Sequence, residues 1–369
     1  MSSIAASSVG EPAGAGMRAG VLGGGFMAEV HARSIRSARG FVAALASSTP
    51  ERTREAAARH GASRAASVDE ILDDPHIDVV HICTPNASHA DYAERALEAG
   101  KHVICEKPIG RTVEEAQRMA DLAKRSGLVA AVPFINRFYP LAREARDRLR
   151  ADAGPVTSVM GSYLQDWMLS PATDNWRVDS AIGGESRAFG DIGSHLVDLI
   201  EFITGEQITS LRAHTSVVNP ERSGRRVETE DLAAAVVTFQ GGGLGTLMVS
   251  QTAPGRKNAL TVEVAKSNES LRFEQESPDS IWIGRSQGSE VLPRDAERLG
   301  EDARRLSILP AGHALGYQNA FDAFVADAYA TIAGENRPGL PTFEDGLRAA
   351  RITKAVIESA RTGRDVQLP

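Results

Sequence analysis

From position 17 to about 134, short apolar runs alternate with stretches of helical period. The runs are 19–22, 41–45, 79–83, 102–105 and 128–133, and the helical stretches between them are 27–37, 50–59, 88–99 and 113–126. Strands apolar on both faces, each followed by a helix, are what a parallel sheet covered on both sides requires. The first part of the chain is therefore predicted to be a doubly wound α/β domain. After Phe138 the texture changes. An Arg- and Glu-rich helix over 140–150 leads into runs that alternate apolar and polar: 156–164, 209–218, 232–239, 243–251, 260–265 and 270–273. Alternation predicts strands with one solvated face, hence a second, α+β domain with a large, open, mainly antiparallel sheet able to wall a pocket. Helices are predicted over 189–204, 313–332 and 343–361. No internal repeat is visible.

At 369 residues the chain is long enough for two cores. Its composition is that of a globular protein, 42% hydrophobic and 24% charged. A formal charge of −7 without a long basic run argues against nucleic acid or an anionic membrane surface as partner. No apolar run approaches the ~20 residues of a membrane span. Cys83 and Cys105 end apolar runs and read as reduced thiols of a cytoplasmic protein. Residues 1–16 are small and polar, which predicts a disordered extension rather than a signal peptide.

The segment Gly20-Val21-Leu22-Gly23-Gly24-Gly25-Phe26-Met27-Ala28 ends the first strand and opens the first helix. Read as G-x-G-x-x-A, it puts Gly23 at a tight turn, Gly25 where backbone must approach a pyrophosphate, and Ala28 where helix and strand pack closely. Free N–H groups and the positive helix end then face the phosphates. The second strand lacks the terminal acid that would bind the ribose 2′-hydroxyl of NAD. In its place stand Ser47, Ser48 and Thr49, with Arg52 after them. These residues favour NADP slightly and leave NAD open, the competing reading being that they merely cap the next helix. Thr84, Pro85 and Asn86, with His89, follow the third run at the carboxyl edge of the sheet and border the same crevice, or else form an ordinary capped turn.

Glu106-Lys107-Pro108 stands on that edge too. A lysine there can stabilise negative charge on a substrate oxygen as hydride leaves carbon, and burial beside the cofactor would favour its neutral form and admit it to a proton relay. Asp191 and His195, four apart at the start of an apolar helix, share one helix face. A histidine meets the need for a base near neutrality, Asp191 can bind substrate or favour the imidazolium, and Gly193 leaves room for a ligand. The bland alternative is a pair that only steadies a helix. No third ligand falls at metal spacing.

In these segments, and in Asn136-Arg137-Phe138, the chain resembles the Gfo/Idh/MocA oxidoreductases from Met17 to Arg361. The resemblance implies an N-terminal Rossmann domain over 17–138 and a C-terminal domain over 139–369, whose open sheet floors the pocket and joins subunits of a homo-oligomer. It implies catalytic roles for Lys107, Asp191 and His195, with His195 as acid/base. Trp176 and Arg177 are similar to the family's Trp-Arg pair, which reaches toward the cofactor, where Gly23, Gly25, Phe26, Met27 and Glu106 also lie. The substrate class implied is a sugar, cyclitol or related polyol, oxidised or reduced at a carbinol carbon. A redox-neutral glycosidase acting by transient oxidation, and a non-catalytic dinucleotide sensor, are the alternatives. Two departures stand out: the missing acid after the second strand, and Glu185-Ser186-Arg187 where many relatives carry Gly and small apolar residues. The latter shapes the pocket for one sugar or is a structural variation.

Overall fold

The computed structural model describes residues 16–369; the expected disordered extension lies outside them except for Gly16. The first domain is built on six parallel strands, β1 (Arg18–Leu22), β2 (Phe41–Ala46), β3 (Arg64–Ala65), β4 (Val79–Ile82), β5 (His102–Cys105) and β6 (Ala130–Ala131). Their spatial order is β3-β2-β1-β4-β5-β6, so the winding reverses between β1 and β4. Helices α1 (Phe26–Ser37), α2 (Pro50–His60), α3 (Val68–Leu72), α4 (His89–Glu98) and α5 (Val113–Ser126) connect them. Apart from β3, whose two residues are exposed, the strands are buried on both faces, and most of their side chains are Val, Ile, Leu and Ala.

Helix α6 (Pro140–Ala151) leads to a nine-stranded sheet made of β7 (Ser158–Leu164), β8 (Ile208–Ser216), β11 (Leu232–Phe239), β12 (Leu244–Ser250), β13 (Ala259–Ala265), β14 (Ser270–Glu274), β15 (Ser280–Arg285), β16 (Gly288–Pro293) and β17 (Val366–Gln367). A hairpin, β9 (Glu221–Arg222) and β10 (Arg225–Arg226), stands apart. The nine strands run in the order β16-β15-β14-β13-β7-β12-β11-β8-β17, and every pairing is antiparallel except β7 with β12. One face of this sheet is covered by α8 (Ser194–Thr204), which α7 (Ser180–Gly183) precedes in the chain. The other face exposes Met160, Val236, Leu244 and Met248.

After α9 (Glu301–Leu306), the chain returns to the first domain. Helix α10 (Tyr317–Ile332) packs on α1, where Ser34 Oγ donates to Asp322 Oδ1 at 2.6 Å. Helix α11 (Phe343–Thr362) packs on α5 and on β8. Among the described residues no helix is long and apolar enough to cross a membrane, and both cysteines are unpaired.

Candidate active site

The dinucleotide motif folds as its residue types require. Gly23 has φ +119°, and a Cβ there would meet the Cys83 carbonyl oxygen at 2.6 Å, so a side chain is excluded by conformation and by space. A Cβ on Gly25 would meet nothing within 4 Å, which leaves open room in front of the first turn of α1. No side chain caps that helix, so its leading N–H groups are free to hold an anion. The cleft beyond, about 740 Å³, lies at the carboxyl ends of β1 and β4, where the winding reverses. Gly23, Gly25, Phe26, Met27, Ser47, Ser48, Arg52, Thr84, Pro85, Asn86, His89, Glu106, Lys107, Trp176 and Arg177 all line it. The room, the free helix end and the switch-point position fit a dinucleotide.

Several residues in and beside the cleft also have structural duties. Thr49 caps α2, accepting from Arg52 N at 3.3 Å, while Arg52 Nη1 donates to Ser48 Oγ at 3.3 Å on the cleft side. Asn86 donates to the Gly183 carbonyl at 2.9 Å, tying the cleft loop to the second domain. His89 spans the Thr84 and Pro108 carbonyls, 2.8 Å from each, and so fastens two cleft loops together.

Lys107 reaches across to the second domain. Its Nζ donates to Asp191 Oδ1 at 2.7 Å and to the Asp191 carbonyl at 2.9 Å, leaving an ammonium one further N–H. Arg177 Nε lies 3.5 Å from the same Oδ1, its guanidinium stacked 4.3 Å over the Trp176 ring. Burial alone would raise the Asp191 carboxyl. The charges of Lys107 and Arg177 overturn this and hold it well below the usual carboxylate range.

Asp191 sits in a π-helical turn, Phe189–Gly193, that runs directly into α8 with His195 in its first turn. The two side chains do not hydrogen-bond to each other. His195 Nδ1 is buried without a partner among the described residues, and the ring packs edge-on against Phe134 at 5.6 Å. Burial, then the Lys107 charge, push this imidazole down to about 3, so it rests neutral. One expectation is corrected: Gly193 gives room to a side chain and not to a ligand, because its missing Cβ would stand 2.6 Å from the Phe189 ring.

Glu106, beside Lys107, begins a buried chain that sequence reasoning missed. Its Oε1 lies 3.1 Å from His31 Nε2, His31 Nδ1 lies 2.8 Å from His81 Nδ1, and His81 Nε2 lies 2.9 Å from the Tyr329 hydroxyl. A carboxylate only accepts, so His31 Nε2 donates to Glu106. Burial would raise the Glu106 carboxyl, but the hydrogen bond and charge of His31, then Lys107, keep it below its ordinary value. Arg137 of Asn136-Arg137-Phe138 is remote from the cleft. It clamps α8 through Asp198, at 2.9 and 2.5 Å, and α11 through Asp345, at 2.7 Å, and so fixes the helix that carries His195. Glu185 pairs with Lys354 at 3.0 Å, Ser186 donates to Glu230 at 2.7 Å, and Arg187 is buried against Asp231.

Residues 17–134 match the model of an oxidoreductase family with an NAD-binding Rossmann fold, GFO_IDH_MocA, and residues 142–272 match the GFO/IDH/MocA C-terminal domain. The chain is 32% identical to levoglucosan dehydrogenase of Pseudarthrobacter phenanthrenivorans, covering 96% of this chain and 98% of that one. The solved structure of levoglucosan dehydrogenase with NADH and levoglucosan superposes with a TM-score of 0.89 at 31% identity, over 96% of this chain and 99% of the other. An inositol dehydrogenase homolog from Azotobacter vinelandii in complex with NAD+ does so with a TM-score of 0.86 at 26% identity, over 95% and 97%. By sequence over both domains and by the whole course of its backbone, this chain belongs to the Gfo/Idh/MocA family of NAD-binding oxidoreductases.

Proposed function

We propose that the chain oxidises a carbinol of a sugar or cyclitol, with Lys107, Asp191 and His195 as its catalytic residues. The observation that carries this reading is the 2.7 Å contact of Lys107 with Asp191, which joins the rim of the dinucleotide cleft to the helix that bears His195. A bound nicotinamide supplies the hydride acceptor. The chain's own residues do the rest. The spare N–H of Lys107 stabilises the substrate oxygen as its proton leaves, and neutral His195 takes that proton. A resting neutral imidazole is the state from which oxidation starts, and reduction would run through the same residues in reverse. The names of similar proteins, levoglucosan dehydrogenase and an inositol dehydrogenase homolog, support a cyclic polyol as substrate.

The test is a panel of anhydrosugars, inositols, aldoses and keto-sugars with NAD and NADP. The expected result is stoichiometric nicotinamide reduction with at least one cyclic polyol. Substrate cleavage with no net change in absorbance would replace this reading with the redox-neutral glycosidase, and dinucleotide binding without turnover of any compound would replace it with a sensor.

We also infer that the cleft accepts NADP beside NAD, because no carboxylate follows β2 and Arg52 lies in contact with Ser48 at that point. Arg52→Ala should lower kcat/KM for NADP by about tenfold and leave that for NAD nearly unchanged, since one charge-assisted hydrogen bond to phosphate is lost. Equal losses with both cofactors would remove Arg52 from the phosphate site. The exposed face of the large sheet is proposed as the contact between copies of this chain.

A further inference from the structure

Gln251 follows β12, and its side chain is fully buried. Its amide joins two groups on opposite sides. Nε2 donates to Asp191 Oδ2 at 2.8 Å, and Oε1 accepts from Arg187 Nη1 at 3.4 Å. A guanidinium only donates and a carboxylate only accepts, so the amide has a single permitted orientation. The backbone of Gln251 is held as well, its N–H on the Asp231 carbonyl at 3.0 Å and its carbonyl taking the Met168 N–H at 3.1 Å.

Arg187 is fixed in turn. It is fully buried and donates through Nη2 to Asp231 Oδ1, which also accepts from Arg222 Nη2 at 2.7 Å. The other Asp231 oxygen takes the N–H groups of Val218 and Asn219 at 2.7 and 2.9 Å. One line of hydrogen-bonded side chains therefore runs from Arg222 through Asp231, Arg187, Gln251 and Asp191 to Lys107 at the cleft. The departure from small residues at Arg187 supplies its central link.

The consequence falls on the Asp191 carboxylate. Its Oδ1 carries both cations, Lys107 and Arg177, and its Oδ2 is occupied by a neutral donor. Released from Gln251, the carboxylate could turn and take the last N–H of Lys107 with its second oxygen. We propose that Gln251 is a positioning residue, oriented by Arg187, that confines Asp191 to a one-oxygen grip on Lys107 and so keeps an ammonium N–H available to the substrate oxygen. The proposal rests on the oxidoreductase reading above for what Lys107 does. A carboxylate at this position would not serve, because it would lack the donor and set two anions together.

The test compares Gln251→Glu and Gln251→Leu in the full chain, with thermal unfolding to establish that each folds. Glu is nearly isosteric and still accepts from Arg187, so a role limited to packing predicts wild-type behaviour for it. Positioning predicts that kcat falls by about ten- to a hundredfold in both variants, measured with levoglucosan and myo-inositol as probes, while NADH affinity holds. A second readout needs no turnover. The rate of Lys107 acetylation by acetic anhydride, followed by peptide mass spectrometry, should slow by about threefold or more in both variants as the carboxylate closes on the ammonium. Unchanged labelling overturns the proposal whatever the turnover, and so does slowed labelling with undiminished kcat. Slowed labelling in variants of a chain that turns over neither probe supports the proposal and counts against the oxidoreductase reading instead.

Discussion

At the scale of single residues, the proposed mechanism puts most of its weight on His195. Its buried, partnerless Nδ1 means that a proton on both nitrogens would leave an N–H unsatisfied, so the ring rests neutral. His195→Ala should cut kcat by about 10²–10⁴-fold, the range for a lost general base, with NADH affinity by fluorescence titration nearly intact. A variant that kept full rate would end the acid/base assignment. The same residue predicts a pH dependence of stability. Its value is 6.5 when free and about 3 when folded, so below pH 6.5 the unfolded chain binds the extra proton and folding weakens as pH falls. Relative to His195→Phe, the wild type should lose up to about 1.4 kcal/mol per pH unit on acidification from 6.5, and nothing above it, in urea unfolding at pH 7 and pH 5. Four-residue spacing singled out Asp191 and His195, but it did not reveal that Asp191 sits in a π-helical turn ahead of α8. Gln251 carried no signal, since a glutamine ending an alternating strand looks like any polar edge residue.

Among the elements, the turn between β1 and α1 separates two uses of glycine. Gly23 is needed for the backbone, and Gly25 for what lies in front of it. Gly23→Ala should cost about 1–3 kcal/mol of stability, from positive φ and contact with Cys83, measured by chemical denaturation. Gly25→Val should leave the unfolding midpoint nearly unchanged yet weaken NADH binding by about tenfold or more, because its side chain fills open space in the cleft. Equal destabilisation by both would mean that Gly25 is structural. The parallel strands were legible from their apolar runs, and α5 agrees with its predicted bounds. Several of the elements missed have little pattern to read, although β15, Ser-Ile-Trp-Ile-Gly-Arg, does alternate and was also missed. β3 is two exposed residues, α3 is five residues long, and β16 reads Gly-Ser-Glu-Val-Leu-Pro, which is polar at its start. The helix expected over 313–332 begins only at Tyr317, after Gly316 at its N-cap.

At the scale of the molecule, the nine-stranded sheet leaves one face uncovered among the described residues. Met160, Val236, Leu244 and Met248 project from it on three adjacent strands, each more than a third exposed. An apolar face of this kind supports self-association. Met160→Glu combined with Val236→Glu should shift the chain to monomers in sedimentation velocity while thermal unfolding still shows a folded protein. If the wild type itself sediments as a monomer, the face has another use. The return of α10 and α11 to the first domain could not be read from the chain, because the contacts of Tyr329 with His81 and of Arg351 with Gln117 join residues more than two hundred positions apart.

The sequence by itself determined most of the longer strands and helices, that the first sheet is parallel and covered, where the glycine turn lies, and which lysine, aspartate and histidine are candidates for chemistry. Each of these follows from periodicity or from spacing within a few residues, where the backbone alone sets the geometry. Only the tertiary structure decided that Lys107 grips one oxygen of Asp191, that Gln251 holds the other, that Gly193 makes room for Phe189, and that Glu106 leans on two buried histidines. Those facts depend on where separate elements meet, and a hydrogen bond between distant side chains leaves no periodic trace in the chain that makes it.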